Sequence, residues 1–543
     1  MRASRITAGG VVATGLAIGV VLLVNRGGPS MSVPRFVDES ASSGVNHVYD
    51  GEFDYFVGGG VATFDCSSDG FPDLYLAGGS RPASLFVNHS EQGGPLRFEA
   101  LPSPTTDLDA VTGAYPIDLN SDDIDDLVVL RHRDSRILLG DGGCRFHDAT
   151  ADLGVQLADD WSVAFSATWE DDQLFPTLAF GGYLVPDTYD CDENTLWRPN
   201  GDRYTDAIRL PGHCTLSLLF SDWNRDGHAD LRVSNDRNYD RDAREQLWRI
   251  RPSEQPREYT STDGWQDLTI WGMGIASHDI DGDGQPEVFL TSQGDNKLQA
   301  LVPDAKGPQY ADIALERGAT AQRPYTGDDI LPSTAWHPQF ADVNNDGRVD
   351  LFISKGNVDA QIDYAAVDPN NLLLAQRDGT FVEHGKDAGV ADTARSRGAA
   401  VVDLNLDGLL DLIVVNRREP AEIRRNMGGG STDARAQMGH WLQITVRQPA
   451  PNTRAVGAWV EVRHDGQTQY TEITVGGGHA SGQSGWIHMG LGTSSTAEVR
   501  VVYPDGTVGA WSTVAADRFY VIDRTEPKPV EWTITQQMPA SAP

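Results

Sequence analysis

Asp279-Ile280-Asp281-Gly282-Asp283-Gly284-Gln285-Pro286-Glu287, running straight into Val288-Phe289-Leu290, says more about this chain than any other stretch of it. Oxygen-bearing side chains stand at positions 1, 3, 5 and 9 of the nine, glycine stands at 6, and a strand-forming run follows. The frame returns at Asp65, Ser67, Asp69 and Asp73, at Asp118, Asn120, Asp122 and Asp126, and at Asp222, Asn224, Asp226 and Asp230. It returns again at Asp342, Asn344, Asp346 and Asp350, and at Asp403, Asn405, Asp407 and Asp411. A period of about fifty to sixty residues is the mark of a repeat architecture.

Hard oxygens at those offsets, with a glycine that permits a sharp turn and a backbone carbonyl at position 7, are what calcium with six to eight oxygen ligands requires. An EF-hand would place a bidentate acid at position 12, but that slot holds Leu76, Val129, Val233, Leu290, Ile353 or Val414. The residues after each loop, such as Leu412, Ile413, Val414 and Val415, read as a buried strand, so the loop joins two strands. Asp, Asn and Gly also form Asx turns without a metal. Turn chemistry does not ask for four oxygens at fixed offsets, however, and carboxylates crowded into nine residues repel unless a cation neutralises them. The expectation is therefore about five to six bound calcium ions. A degenerate copy near Glu170, Asp171, Asp172 and Gln173 lacks the spacing and the glycine and is expected to hold none.

Two other phrases share the period. An aromatic residue two before an aspartate occurs at Phe36, Phe146, Tyr204, Trp265 and Tyr310, with looser versions at Phe98 and Phe381. An apolar strand ending in a turn occurs around Leu85, Ile137, Leu196, Leu247, Leu298, Leu372 and Ile423. Four short strands per unit and seven units predict an all-β fold, a seven-bladed β-propeller over residues 34–428. The repeats begin with an aromatic phrase at Phe36 and end at Asn426 without one, so the segment around Phe36 is expected to supply the missing strand of the last blade.

Residues 1–30 read as an anchor or signal segment, because Ile6 to Val24 carries no charge and follows Arg2 and Arg5. Export to the periplasm or the cell exterior, with possible retention at the membrane through residues 6–24, agrees with calcium sites that fill where calcium is millimolar. It also agrees with four cysteines, for which Cys191 with Cys214 and Cys66 with Cys144 is one of three pairings, reduced thiols remaining an alternative. After Gly428 to Gly430 the pattern changes, and Trp441, Trp459, Tyr470 and Val499 open alternating strands of a separate small sandwich-like β-domain over 440–523. Residues 524–543, polar and proline-rich, are expected to be a disordered tail.

The repeat loops resemble the FG-GAP or VCBS-type repeats of integrin α-chains. The block Gly457-Ala458-Trp459, Gly476-Gly477-Gly478-His479, Ser481-Gly482-Gln483 and His488-Met489-Gly490-Leu491-Gly492 resembles the ASPIC/UnbV domain. Together they are similar to bacterial members of the cartilage acidic protein family, whose founding member is an extracellular calcium-binding glycoprotein. The resemblance implies calcium in the four-oxygen loops and implies no catalytic activity. The chain departs from the pattern at its lost third loop, at Ser67, at Asp123 in a glycine slot, and at Tyr503 where tryptophan is commoner.

A formal charge of −35 makes nucleic acid an unsuitable ligand, since phosphate backbones need clustered Lys and Arg. His479, Ser481 and His488 invite a hydrolase reading, but no G-x-S-x-G elbow and no third acid accompany them. His132, His213, His228 and His278 lie near unit boundaries, where a propeller channel could collect them. The resulting expectation is an exported calcium-loaded scaffold that binds or adheres to an extracytoplasmic protein or glycan. The rival is a propeller enzyme, a polysaccharide lyase or hydrolase or a cofactor-dependent oxidoreductase, with its site in the central channel.

Overall fold

The runs that follow the acidic loops are strands buried along their whole length: Asp73–Leu76, Asp230–Asn235, Glu287–Ser292, Asp350–Lys355 and Asp411–Asn416, with Asp126–Arg131 buried up to its last residue. Each pairs antiparallel with the strand before its loop, as Ser396–Val402 does with Asp411–Asn416. Ser162–Thr168 and Thr177–Gly182 do the same in the third unit, which lacks the acidic frame. A third strand and a short outer strand complete each unit. The outer strands Phe98–Ala100, Tyr310–Asp312 and Phe381–Glu383 bury only their aromatic first residue, as short edges exposed to solvent do.

The computed structural model describes residues 32–157, 161–320, 333–358, 368–429 and 438–534. The expected anchor at 6–24 lies outside them, and among the described residues no helix is long and apolar enough to cross a membrane. The described chain up to Asn426 forms seven consecutive four-stranded antiparallel meanders, numbered here as sheets one to seven in chain order of their inner strands. Phe36–Asp38 is the outer strand of the seventh sheet, pairing with Glu422–Asn426 in the register Phe36 to Asn426 and Asp38 to Arg424. Inner strands of consecutive sheets pack against one another, and Ser396–Val402 of the seventh packs against Val61–Phe64 of the first. The fold is all-β and propeller-like. In the fourth sheet the outer strand is Arg257–Glu258, and Trp265 follows it across a single 3-10 turn, so the aromatic phrase there is displaced from the strand it marks elsewhere.

Both cysteine pairs are disulfides. Cys66–Cys144 joins the acidic loop of the first sheet to the outer hairpin of the second, and Cys191–Cys214 joins the third sheet to the fourth.

Beyond residue 438 the chain builds two further four-stranded sheets. One is ordered Ile487–Gly492, His440–Arg447, Arg518–Asp523, Val530–Trp532, and the other Gln467–Glu472, Trp459–His464, Thr496–Val502, Ser512–Ala515. Leu442, Ile444, Val460, Val462, Met489, Val499, Val501 and Ile522 form their shared core. The tail expected to be disordered from residue 524 is corrected as far as 534: Val530–Trp532 is a strand, and Trp532 is buried against Phe71, Phe519 and Val521. Its alternating apolar residues gain an edge to pair with, which composition alone does not show.

Candidate functional site

Each acidic loop is wound by its own carboxylates. The residue-1 carboxylate accepts from the amide of residue 6 in every copy, at 2.7 Å from Gly70, 2.9 Å from Asp123, 2.9 Å from Gly227, 2.8 Å from Gly284, 2.8 Å from Gly347 and 2.7 Å from Gly408. The residue-5 carboxylate accepts from the amide of residue 7, for example Gln285 to Asp283 at 2.8 Å. The residue-9 acid pins the loop to the sheet: Asp411 accepts from Leu404 of the loop at 3.0 Å and from Asn426 of the third strand at 2.8 Å. Residue 6 has positive φ throughout, 70° even at Asp123. Residue 4 is left-handed as well, at Ser68, Ser121, Arg225, Gly282, Asn345 and Leu406. Sequence inspection misses that second turn, because only one copy places glycine there, and Arg and Leu seldom adopt such a conformation.

This winding crowds buried negative charge. Asp279, Asp281 and Asp283 each place a carboxylate oxygen within 4.8 Å of the others. Burial, together with the neighbouring acids, holds Asp279 at about 6 and Glu287 at about 8, well above ordinary carboxylates. Asp65, Asp118 and Asp222 are likewise pushed to about 6 and Asp403 to about 8, again chiefly by burial. A carboxylate offers about four acceptor positions. Glu287 receives one backbone donor, and Asp126, Asp350 and Asp411 receive two each, one on each oxygen, so each retains acceptor positions for a cation. The donor chemistry of these loops fits a hard divalent ion.

Two loops differ. In the third sheet the nine-residue frame begins at Trp169 and ends at Thr177, so neither end offers a carboxylate. The acid at its second position, Glu170, is clamped by Arg198 through Nε at 2.6 Å and Nη2 at 2.7 Å, and accepts from the Thr177 hydroxyl at 2.6 Å. In the fourth sheet Asp230 receives Ile250 N, Arg251 Nη1, Trp223 Nε1 and Tyr259 Oη, which fills its acceptor positions. Arg251 also bonds Asp226 at 2.8 Å, so a guanidinium already neutralises positions 5 and 9 of that loop.

The C-terminal domain lies across the loop end of the sheets. Gln443 donates to Asp403 Oδ2 at 2.6 Å, His488 meets Asn345 Oδ1 at 2.7 Å, and Glu472 accepts from Asp222 N at 2.7 Å. Thr453 donates to Asp118, Arg447 pairs with Asp123, and Arg225 reaches Glu461 at 2.8 Å. A Cβ at Gly408 would stand 1.9 Å from the Trp441 ring. Glycine at the sixth position there serves both the turn and the close approach of the second domain.

One segment of that domain goes further and lies among the inner strands. Val475, Gly476 and Gly478 bridge Ala167, Leu219 and Ile275, Ser481 bridges Ala114, and Gly482–Gln483 pairs in parallel with Ala62 and Thr63. The amide of His479 donates to His337 Nδ1 at 3.0 Å, and a Cβ at Gly398 would meet Ser481 Oγ. All seven sheets thus touch residues 475–483. His479 is fully buried, accepts from Gly58 N at 3.1 Å and is held near 3 by burial. Ser481 Oγ accepts from Val61 N at 3.1 Å. These side chains are structural partners, and His488 stands apart against Asn345.

Of the histidines near unit boundaries, His132 pairs with Asp54 and His213 with Asp240 beyond the opposite ends of the strands, and His278 packs on Phe340. The histidine that meets residues 475–483 is His337. The signal that could have found the segment's seat is a set of glycines in or beside the inner strands: at Gly60, just before Val61–Phe64, and at Gly113 an added Cβ would strike Ala480 O, and a strand glycine often marks such an approach. A chamber of about 260 Å³ remains between the domain and the sheets, with Asp118, His278, Asp403, Gln443 and Glu472 in its wall.

Residues 448–529 match the family ASPIC and UnbV. The segment that touches all seven sheets lies within that match. Residues 279–353, from the Asp279 loop into the sixth sheet, match the FG-GAP-like repeat. The chain is 24% identical over 270 residues to cartilage acidic protein 1 of Mus musculus, covering 47% of this chain and 37% of that protein. It is 24% identical over 277 residues to the Xenopus tropicalis protein, covering 50% and 39%. The chain thus spans well under half the length of the curated relatives it matches. Among solved structures, BBS1N in complex with ARL6DN aligns with 11% identity and a TM-score of 0.43, covering 74% of this chain and 99% of that one. An Agrocybe aegerita lectin specific for non-reducing terminal N-acetylglucosamine aligns with 15% identity and a TM-score of 0.39, covering 67% and 93%.

Proposed function

We propose that this chain is an exported, calcium-loaded seven-bladed propeller that acts as a binding scaffold for an extracytoplasmic protein or glycan, with its ASPIC/UnbV domain as a built-in plug. The observation that carries the reading is the repeated loop, in which buried carboxylates are crowded at fixed offsets, those of Asp279, Asp281 and Asp283 with oxygens within 4.8 Å of one another. Closure into a ring is supported by the pairing of Phe36–Asp38 with the last repeat and by the contact of inner strands from all seven sheets with residues 475–483. Calcium would be held by the loops opening at Asp65, Asp118, Asp279, Asp342 and Asp403, where it adds neutralising charge to that of Arg348 on Asp346 and Arg447 on Asp123. The Asp222 loop relies on Arg251 and the Trp169 loop on Arg198.

In this reading the protein's own groups orient the site. The residue-1 and residue-5 carboxylates are fixed by backbone amides before any ion arrives, and the residue-9 acid ties the loop to two strands. Because Gln443 and His488 touch those same loops, filling them also steadies the second domain. A propeller enzyme with its site in the channel has less support, since the axis is filled by His479 and its neighbours, whose polar atoms already have backbone partners. Metal analysis of the purified chain together with calorimetry tests the scaffold reading. Several equivalents of bound calcium and a melting temperature lowered by chelator are expected, and a metal-free protein indifferent to chelator would refute it.

A further inference from the structure

The ASPIC/UnbV domain covers the loop end of the sheets and fills their axis, which leaves the opposite end as the face free for a partner. Antiparallel strands alternate direction, so that end carries the connections between second and third strands and the entries to the inner strands. Among the described residues the exposed aromatic rings are Tyr189, Tyr239 and Trp271, each 40–44% exposed. All three are on this end. Tyr189 and Tyr239 lie in the second-to-third strand connections of the third and fourth sheets, and Trp271 immediately precedes the inner strand of the fifth. Their placement on adjacent sheets of one face is unlike scattered surface residues.

The rings are joined into a surface. Phe53, at the entry to the first sheet, stands 5.1 Å from Tyr189 and 6.4 Å from Tyr239, edge to face in both cases. Arg237, two residues before Tyr239, lies over Trp271 at 5.9 Å, and Asn238 donates to Gln293 at 3.4 Å. The Cys191–Cys214 disulfide ties the Tyr189 loop to the base of the fourth sheet, holding two of the rings in register.

The local polar groups select the ligand. Asp187 meets Arg133 at 3.1 Å, Asp240 meets His213 at 2.6 Å and Asp54 meets His132 at 3.9 Å, while Asp190 and Asp242 stand exposed in the same loops as Tyr189 and Tyr239. Aromatic faces bordered by carboxylates, guanidinium groups and amides suit a neutral polyhydroxylated ligand, which presents apolar C–H faces to rings and hydroxyls that both donate and accept. The extended row from Tyr189 to Trp271 suits several residues of a chain over a single sugar. We infer that this end of the molecule binds neutral oligosaccharide chains, with Tyr189, Tyr239 and Trp271 as stacking platforms. The inference rests on the binding-scaffold reading and names its ligand class and its face.

The test is binding of the full chain to an array of neutral, acidic and amino-containing glycans, with isothermal titration of the best neutral hexasaccharide and, in parallel, of a trimethyllysine peptide. Retention of neutral oligosaccharides is expected, with a tenfold or greater loss of affinity in the Tyr239→Ala/Trp271→Ala double variant and little loss in Tyr239→Phe, which keeps the ring. An unchanged melting temperature in the double variant shows that it is folded. No neutral glycan bound, binding indifferent to the double variant, or capture of the trimethyllysine peptide in place of glycan would each overturn the inference. If calcium still stabilises the chain in those cases the scaffold reading survives, whereas indifference to calcium removes that reading by a separate measurement.

Discussion

In the fifth sheet, Asp279, Asp281 and Asp283 gather their oxygens within 4.8 Å, and among the described residues no side chain of opposite charge stands closer than Arg317 at 3.8 Å from Asp281. In the third sheet the same nine-residue frame opens at Trp169, closes at Thr177 and keeps one buried acid, Glu170, with the Arg198 guanidinium clamped across it. Both loops lead from an inner strand to a second strand through the same connection, and both must balance buried negative charge. One carries its cation covalently. The other is left with carboxylates raised by burial, the state that an external ion relieves. The fourth sheet is intermediate, with four acidic-frame oxygens and Arg251 laid over two of its carboxylates. Strand geometry therefore does not depend on which cation is used, but stability in the absence of calcium should.

Withdrawal of calcium is the strongest way to break this comparison. At free calcium a hundred times the dissociation constant, each filled loop adds about 2.7 kcal/mol. Calorimetry with and without chelator should therefore show a large drop in melting temperature, and an unchanged melt would leave the two loop types indistinguishable. Arg198→Met comes next. It strands Glu170, whose side chain is 4% exposed, and should destabilise by about 3–5 kcal/mol to the same extent in calcium and in chelator. A calcium-dependent loss would mean that the third loop also takes an ion. Asp281→Asn should lose up to about 2.7 kcal/mol in saturating calcium and nothing in chelator, read from paired denaturation curves. Arg251→Gln should have the smallest net effect in calcium, because it turns the fourth loop into the other type. The bound calcium measured by mass spectrometry should rise, and stability lost in chelator should partly return when calcium is added.

Much of the fold was legible from residues because its cues are local. The apolar runs after each acidic frame, Leu412 to Val415 among them, could only be short buried strands, and the unpaired aromatic phrase at Phe36 indicated the partner of Glu422–Asn426. Individual loops were less legible. Arg251 is twenty-one residues after Asp230 in sequence yet within 2.5 Å of it, so the engagement of that loop's acids followed from the sheet and not from the motif. The glycine-histidine block at 476–479 looked like a tight turn or a catalytic loop because its partners, Leu218, Ile275 and His337, are more than a hundred residues away.

From the residues alone came the repeat, the all-β class, the oxygen-rich connections and the change of strand pattern after Gly428 to Gly430. Side-chain period, turn chemistry and charge crowding act over about ten residues and are written there. Tertiary structure decided which acids a guanidinium group meets and how residues 475–483 reach all seven sheets, along with the strand at residues 530–532. Those depend on backbones and guanidinium groups brought together from distant parts of the chain, and burial, unlike propensity, has no value until the surrounding surfaces are in place.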